Sequence, residues 1–567
     1  MDFQIEQIYS KSNLPILKIN NYFLHSKYDP CREAKQFASN KYEVNCTHII
    51  LGYGSGYIIE ALLNEFKFNE KLIVIDPFVE KKLIKIQPKH KKQNNILFFN
   101  SKQIEHLAYF LRKTEMQDFQ MAFSVFVSPN YDKFFNELHL VILKQVKEIQ
   151  YRSIVDINTE LKYADSWQAN TINSLFNLQT DVSLNVLQDK FNLPIVIVSG
   201  GPSLTKQLPS LKNIEKNIII IAAGSSVNSL LAYNIEPDYV VSIDGSKGAY
   251  MHYENKLFER TRLIYTFTNY AEVRNSFRHE AYLFAIKKDV QLITSLKDKF
   301  DLDFPIIQGG GTVAHFSLHI ARYISSGPIA LIGQDLAYTN NQTHAESNER
   351  FKNVKLEELE ENTHFYTNGY DDEPVLTSSS FYDMKRDFER LIMMIENPGL
   401  IFNCTEGGVK LDGFNQIPFK LFIERYIQFN KGNKFNLLND NSQSNLSHHL
   451  IIEYFNETLE IYSQLKKQLQ LGLRILKKNN SLEPYQVNEL KSINLKIDRL
   501  VKTVPINETL NKIKLRASRI YLANQNEIDS EKNERVLKGT HYIFKQLLES
   551  IDAIESYTKE LLSKSGI

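Results

Sequence analysis

An apolar run, IVIV at 195–198, breaks into Ser199-Gly200-Gly201-Pro202-Ser203 and then resumes at helical spacing in LTKQLPSL. Glycines let a backbone come close to a ligand. The start of a helix presents unpaired N–H groups and the positive end of its dipole, so a strand, glycine turn and helix in succession suit a phosphate or a carboxylate. A second such turn, Gly309-Gly310-Gly311-Thr312, opens the helical stretch VAHFSLHIARYI. Two of these turns on one sheet can hold two parts of one ligand. Directly after it, PIALIG ends in Gln334-Asp335 and leads into a polar loop bearing Tyr338, Thr343, His344 and Glu346, a place for chemistry. Read alone, a Gly-Gly-Pro-Ser turn is more commonly a plain connector; its neighbours are what raise it to a candidate site.

Several chemistries fall away. GGPSLTK lacks the GxxxxGK[ST] spacing of a Walker loop, which counts against ATP hydrolysis. His315 and His319 lie four apart on one helix face, but no third ligand accompanies them, so they read as packing or surface residues. Asp371-Asp372, in NGYDDEP, reads as a turn rather than a metal site. Cys31, Cys46 and Cys404 fit no metal spacing and leave one thiol over in any disulfide scheme, which suits a reducing compartment. Lys and Arg total 67 against 66 Asp and Glu, so no net field favours nucleic acid or an anionic membrane. The first residues lack a signal peptide's basic start and apolar core, and no apolar run reaches the roughly 18 residues of a membrane helix. The expected location is the cytoplasm, without membrane insertion.

The elements that must position these residues form three regions, and the fold class is α/β. Residues 1–165 carry HIILGYGSGYIIEALLNEF and KLIVIDPF: a strand, glycines at 52, 54 and 56, an amphipathic helix and a second strand ending at Asp76, the start of a Rossmann-like domain. Tyr57 stands where the dinucleotide fingerprint has its last glycine. The turn looks more like the nucleoside site of an S-adenosylmethionine methyltransferase, with Asp76 offered to a ribose, but a tight packing turn without ligand is the favoured reading. Residues 166–435 alternate short β runs with helical stretches, which calls for a parallel sheet covered on both faces. The polar residues fall at the expected strand ends: Ser199-Gly200-Gly201, Gly224-Ser225-Ser226, Asp244-Gly245 and Gln334-Asp335. Residues 436–567 are poor in glycine and proline and have apolar residues three and four apart, the pattern of a C-terminal helical bundle, with breaks at Pro484 and Pro505.

Four stretches together, VIVSGGPSL, IEPDYVVSIDG, GGGTVAHFSLHIARYI with PIALIGQDLAYT, and NCTEGGVKLDG at 403–413, resemble the flagellin glycosyltransferases called motility accessory factors, or Maf proteins. LGYGSGYIIEAL with VIDPF is similar to that family's N-terminal domain, and the central region is similar to bacterial sialyltransferases. The resemblance implies transfer of a nonulosonic, sialic-acid-like sugar (legionaminic or pseudaminic) from its CMP-activated form to Ser or Thr hydroxyls of flagellin, without a metal or other cofactor. It points to Gly200, Gly201, Pro202, Ser203 and Asp244 for the nucleotide, and to Gly310, Gly311 and Thr312 for the donor sugar, where a serine of the related Thr-Ser-Gly segment is missing. Ser225, Gln334 and Asp335 complete the donor-side candidates.

A CMP-linked donor carries one phosphate and one sugar carboxylate, so two amide-rich sites suffice for it. Inverting transfer needs a base at the acceptor hydroxyl and a stabiliser for the departing phosphate; His344 is the base candidate and Tyr338 the phosphate donor. Glu406, before two glycines, could approach sugar hydroxyls with Thr405 beside it, or could mark a hairpin corner. Competing readings are a pyrophosphokinase of the pterin type, which shares a GPSL-type domain and should demand magnesium carboxylates, a methyltransferase, and a non-catalytic flagellin-binding factor. Partners are flagellin and the CMP-sugar, with no nucleic acid; an oligomer is left open.

Overall fold

The computed structural model describes residues 3–67, 70–107, 110–111, 122–355, 359, 363–427, 434, 446–477, 482–524 and 526–564. The chain divides into two compact units. One comprises Met1–Lys162, Gly472–Asn488 and Leu510–Leu547, and the other Tyr163–Leu471, Glu489–Thr509 and Leu548–Ile567. Residues after 436 thus contribute to both units, through the helices His448–Lys477, Pro484–Val501, Asn507–Ile520 and Asp529–Lys564. Pro484 takes the first position of its helix, where a missing N–H costs nothing. The boundary expected near 435 lies outside the described residues.

In the N-terminal unit, four parallel strands stand in the order Ile96–Phe99, Lys71–Ile75, Cys46–Leu51, Ala122–Val127. All six residues of Cys46–Leu51 are buried, as a strand covered on both faces must be. A three-stranded antiparallel sheet over Ile5–Tyr9, Pro15–Ile19 and Tyr22–Phe23 precedes it, an element the sequence reading did not anticipate.

The glycine turn after Cys46–Leu51 has Gly52, Gly54 and Gly56 all at positive φ, 108°, 58° and 87°. Each faces the protein's own side chains: a Cβ at Gly52 would lie 2.5 Å from the Tyr131 ring, one at Gly54 2.6 Å from His25 Nε2, and one at Gly56 2.8 Å from the Tyr53 hydroxyl. Asp76 is buried and fully used, accepting hydrogen bonds from the amides of Tyr53 (2.7 Å), Phe78 (2.7 Å) and Val79 (3.2 Å) and from the Tyr131 hydroxyl (2.6 Å). The turn is packed and its carboxylate is spent on the scaffold, so no group is left to meet a ribose. Calorimetry with S-adenosylmethionine is therefore expected to show no heat; saturable micromolar binding would put a nucleoside in this turn.

In the second unit, nine parallel strands run in the order Asn415–Gln416, Ile401–Asn403, Ile329–Ile332, Ile195–Val198, Ile219–Ala223, Tyr239–Ser242, Arg262–Thr266, Tyr282–Phe284, Val182–Ser183. Helices such as Leu204–Ile214 and Val313–Ile324 lie between them in sequence. From Ile195–Val198 the chain first builds strand by strand to Tyr282–Phe284, then returns to place Ile329–Ile332 on the other side of its starting strand. The order reverses between these two strands, and in an open parallel sheet the ligand crevice forms at the carboxyl ends beside that reversal. The Ser199–Ser203 turn and the Gly333–Asp335 segment leave the sheet there. Ile401–Asn403 and Asn415–Gln416 pair in parallel, so NCTEGGVKLDG is a crossing between parallel strands and not a hairpin corner. Asp371-Asp372 does form a turn, joining the antiparallel strands His364–Asn368 and Pro374–Ser378, with Asp372 at φ 64°.

Candidate functional site

Asp335 is the knot of the site. It is 2% exposed. Its carboxylate accepts the Ser203 amide (3.2 Å to each oxygen), the Ser203 hydroxyl (2.7 Å) and the Thr339 hydroxyl (2.7 Å), while its backbone oxygen accepts the Val409 amide (2.8 Å). Burial pushes its pKa up, and these hydrogen bonds oppose the rise. The anion at the first turn of helix Leu204–Ile214 is thus the chain's own carboxylate, where the dipole favours negative charge. Gly201 is glycine for this reason: a Cβ would lie 2.2 Å from Asp335 Oδ2 and 2.6 Å from the Gly333 carbonyl oxygen, which accepts the Gly201 amide at 2.8 Å.

The TEGG segment is tied to the same knot. A Cβ at Gly408 would lie 2.0 Å from the Asp335 carbonyl oxygen, and one at Gly407 would lie 3.2 Å from Ser203 Cβ. The Thr405 hydroxyl accepts the Gln334 amide (3.2 Å), and the Ser199 hydroxyl donates to Gln334 Oε1 (2.6 Å). Glu406 Oε2 accepts the Phe419 amide (3.0 Å) at the start of helix Phe419–Tyr426 and Gln207 Nε2 (3.3 Å); the Lys206 ammonium donates to the Glu406 carbonyl oxygen. Three stretches some 70 to 200 residues apart in sequence therefore form one rigid floor. Thr405 and Glu406 sit in it as supports.

The second glycine turn repeats the device. The Gly311 amide donates to Asp387 Oδ2 (3.0 Å), the Thr312 amide to His315 Nδ1 (3.1 Å), and the Ala314 amide to the Thr312 hydroxyl (2.9 Å). A Cβ at Gly310 would lie 2.7 Å from Asp387. Both turns are thus neutralised by a carboxylate from within the chain, which the sequence reading, expecting ligand anions at both, did not foresee. Asp387 lies on the helix Ser379–Met394, whose sequence gave no sign of this role.

His315 belongs to the helix cap and is fully buried, its Nε2 2.9 Å from the Met384 carbonyl oxygen; His319 Nδ1 accepts the Gln308 amide at 2.8 Å. Both histidines are structural, as their spacing without a third ligand suggests. Burial lowers the His315 pKa from 6.5 to about 4. Below pH 6.5 the unfolded chain takes up this proton while the folded one resists until about pH 4, so the stabilisation is complete above 6.5 and is lost as pH falls toward 4. That drop amounts to about 3 kcal/mol. Thermal unfolding followed between pH 7 and 4 is expected to fall less steeply in His315→Asn than in the wild type; parallel slopes would contradict a buried neutral imidazole.

Over the first turn lies the loop 343–350, fixed by the Ala345 amide to the Gly200 carbonyl oxygen (3.0 Å), the Glu346 amide to the Thr205 hydroxyl (3.2 Å), and Asn348 Nδ2 to the Ser225 carbonyl oxygen (3.3 Å). A Cβ at Gly200 would lie 2.9 Å from Asn348 Nδ2, 3.5 Å from Ser225 Oγ and 3.7 Å from His344 Cδ2. Gly200, Ser225, His344 and Asn348 therefore meet at one spot, and Asn348 is a member the sequence reading missed. The Gly200 amide and Ser225 hydroxyl make no hydrogen bond to the described residues. His344 Nδ1 is buried without a partner. Burial, reinforced by the Arg350 cation, pushes this imidazole below its usual range, so it is neutral at pH 7 with a lone pair to offer.

Tyr338 stands apart from that spot in its contacts. Its hydroxyl lies 3.2 Å from His364 Nε2 and its amide donates to the Leu376 carbonyl oxygen (2.9 Å), which seats the hairpin His364–Ser378 beside the Asp335 knot. Asp244 is exposed at the end of Tyr239–Ser242, its carboxylate accepting the Ser246 amide (2.8 Å). Pro202 packs buried within the turn. Among the described residues no group of three or more His, Cys, Asp or Glu is arranged to hold a metal ion, and no helix is long and apolar enough to cross a membrane.

Residues 169–341 match the family model of 6-hydroxymethylpterin diphosphokinase MptE-like proteins. Among solved structures, the MAf glycosyltransferase from Magnetospirillum magneticum AMB-1 is similar over 100% of this chain and 95% of that one, at 13% identity and a TM-score of 0.60. The chain has the MAf glycosyltransferase fold. No curated protein sequence matches it. The α/β architecture read from the sequence, with an N-terminal parallel sheet, a central parallel sheet and C-terminal helices, is the architecture of this Maf fold.

Proposed function

We propose that the chain is a glycosyltransferase that moves a nonulosonic sugar from its CMP-activated donor to Ser or Thr hydroxyls of flagellin. The observation that carries this reading is the meeting of Gly200, Ser225 and the unpartnered, neutral His344 at the sheet's reversal point. In this reading the donor's phosphate lies beside the Gly200 amide and Ser225 hydroxyl and the acceptor hydroxyl against the His344 ring, which the loop 343–350 must expose on binding. His344 takes that hydroxyl's proton as the oxygen bonds to the sugar's anomeric carbon and the bond to the CMP phosphate breaks. CMP leaves with the electron pair of that bond. Asp335 and Asp387 shape the two turns, and Gln334, Thr405 and Glu406 hold the floor beneath them; Asp244 and Thr312 remain candidates for contact with the donor.

A diphosphokinase is the second reading, favoured by the family model over 169–341. Diphosphate transfer from ATP uses carboxylates that hold magnesium, whereas the carboxylates at both glycine turns accept amides of the chain itself. The two readings part in one experiment. CMP is expected to raise the thermal unfolding temperature equally in EDTA and in magnesium; stabilisation by ATP that requires magnesium, with none by CMP, would favour the diphosphokinase.

A further inference from the structure

The long helix Asp132–Asn177 is apolar on two sides. Along one, Ile142, Val146 and Ile149 enter a core of the N-terminal unit, and Ile157 is buried in line with them. On the other, Leu140, Leu143, Tyr151, Ile154 and Val155 stand 57%, 40%, 71%, 52% and 46% exposed. At about 100° per residue these five fall within roughly 60° of one line down the helix, a line about 140° from the middle of the buried row, with Leu143 at the edge nearer to it. The departure from helical geometry at Phe135 lies before this stretch, so the face is a regular one. An aligned row of large apolar side chains differs from scattered exposed ones, and marks a surface that is covered.

Four of the five also read the same in both directions. Leu140 and Leu143 precede Lys147 by the same intervals at which Tyr151 and Ile154 follow, with Lys147 exposed at the centre. A two-fold axis pairs a surface with itself, so it demands this kind of spacing. We propose that this helix face pairs antiparallel with the same face of a second copy of the chain, about a two-fold axis at Lys147. Leu140 then packs against Ile154 of the partner subunit, and Leu143 against Tyr151 of the partner subunit. The five side chains expose roughly 500 Å² per copy, so the pair covers about 1,000 Å², the lower bound of a specific interface. Lys147 meets Lys147 of the partner subunit, a charged central layer that costs stability and sets the register.

Light scattering of the full chain at tens of micromolar is expected to give a dimer, and Tyr151→Glu with Ile154→Glu a monomer with unchanged helical circular dichroism, since both positions are exposed. Lys147→Leu is expected to tighten the dimer at least about tenfold. Lys147→Cys, lying on the axis, is expected to form an intermolecular disulfide on oxidation. Asn158→Cys, about 33 Å from its counterpart in this register, is expected to form none. A monomeric wild type, or a dimer that survives the double glutamate variant, overturns the proposal. If the double variant misfolds, the cysteines decide: linkage through residue 158 and not 147 overturns it, and linkage through 147 alone supports it.

Discussion

Replacing His344 with alanine is expected to leave CMP affinity within about twofold and to lower sugar transfer by roughly 10²- to 10⁴-fold, the usual contribution of a positioned general base. The imidazole touches the turn at Gly200 without supporting it, because the loop is held by the backbone of Ala345 and Glu346 and by Asn348. Binding therefore survives where proton transfer does not. The pH profile gives a second readout. With its pKa held below the usual 6.5 by burial and Arg350, His344 stays neutral as pH falls through 6.5, and the acid limb of the rate lies below that value. Removing the cation in Arg350→Gln is expected to move that limb upward. His364→Ala is the control, since His364 contacts Tyr338. Near-normal transfer by His344→Ala removes it from the chemistry, and a comparable loss in His364→Ala alone moves the base there.

Gly201→Val is expected to cost about 3 kcal/mol or more of stability and to abolish CMP binding. The added carbons would enter the space between Asp335 Oδ2 and the Gly333 carbonyl oxygen, and the latter is backbone that cannot rotate away. Overpacking of this kind costs about 1–3 kcal/mol in well-packed sites. Here the displaced Asp335 would also leave the Ser203 amide and the Ser203 and Thr339 hydroxyls without partners, each at about 1–3 kcal/mol. The sequence alone offers Gly201 as a place for a ligand to approach; the geometry makes the glycine a condition for Asp335 to reach the helix. Thermal unfolding and CMP titration of this variant check both effects. Wild-type melting and affinity would contradict the Asp335 knot.

What was legible in the sequence follows from period and position. IVIV, NIIIIAAG, YVVSIDG and PIALIG read as buried parallel strands because they are short apolar runs bounded by glycine or aspartate, and the polar residues at their ends mark the crevice. The hairpin at His364–Ser378 was not legible, since HFYTN is largely exposed, PVLTS is mostly half-buried, and neither shows the alternation of a strand with one buried face. The strands Ile5–Tyr9 and Pro15–Ile19 escaped for the same reason, since IEQIY and PILKI also lack a regular alternation of buried and exposed positions. In the site, His344 could be singled out because histidine after a strand end is a chemical signal. The roles of Asp335 and Asp387 could not, because a carboxylate that caps a turn from 76 or more residues away has the same one-letter appearance as one that meets a ligand. Spacing shows which turns favour an anion; only the packing shows whose anion it is.

The central claim is tested most directly by incubating purified flagellin with this protein and a CMP-activated nonulosonic acid in EDTA, then weighing the flagellin by intact mass spectrometry. Mass increments equal to whole sugar residues on Ser or Thr are expected, reduced at least about a hundredfold in rate by His344→Ala. Unmodified flagellin at every time point, alongside magnesium-dependent release of AMP from ATP with a hydroxymethylpterin acceptor, would contradict the claim.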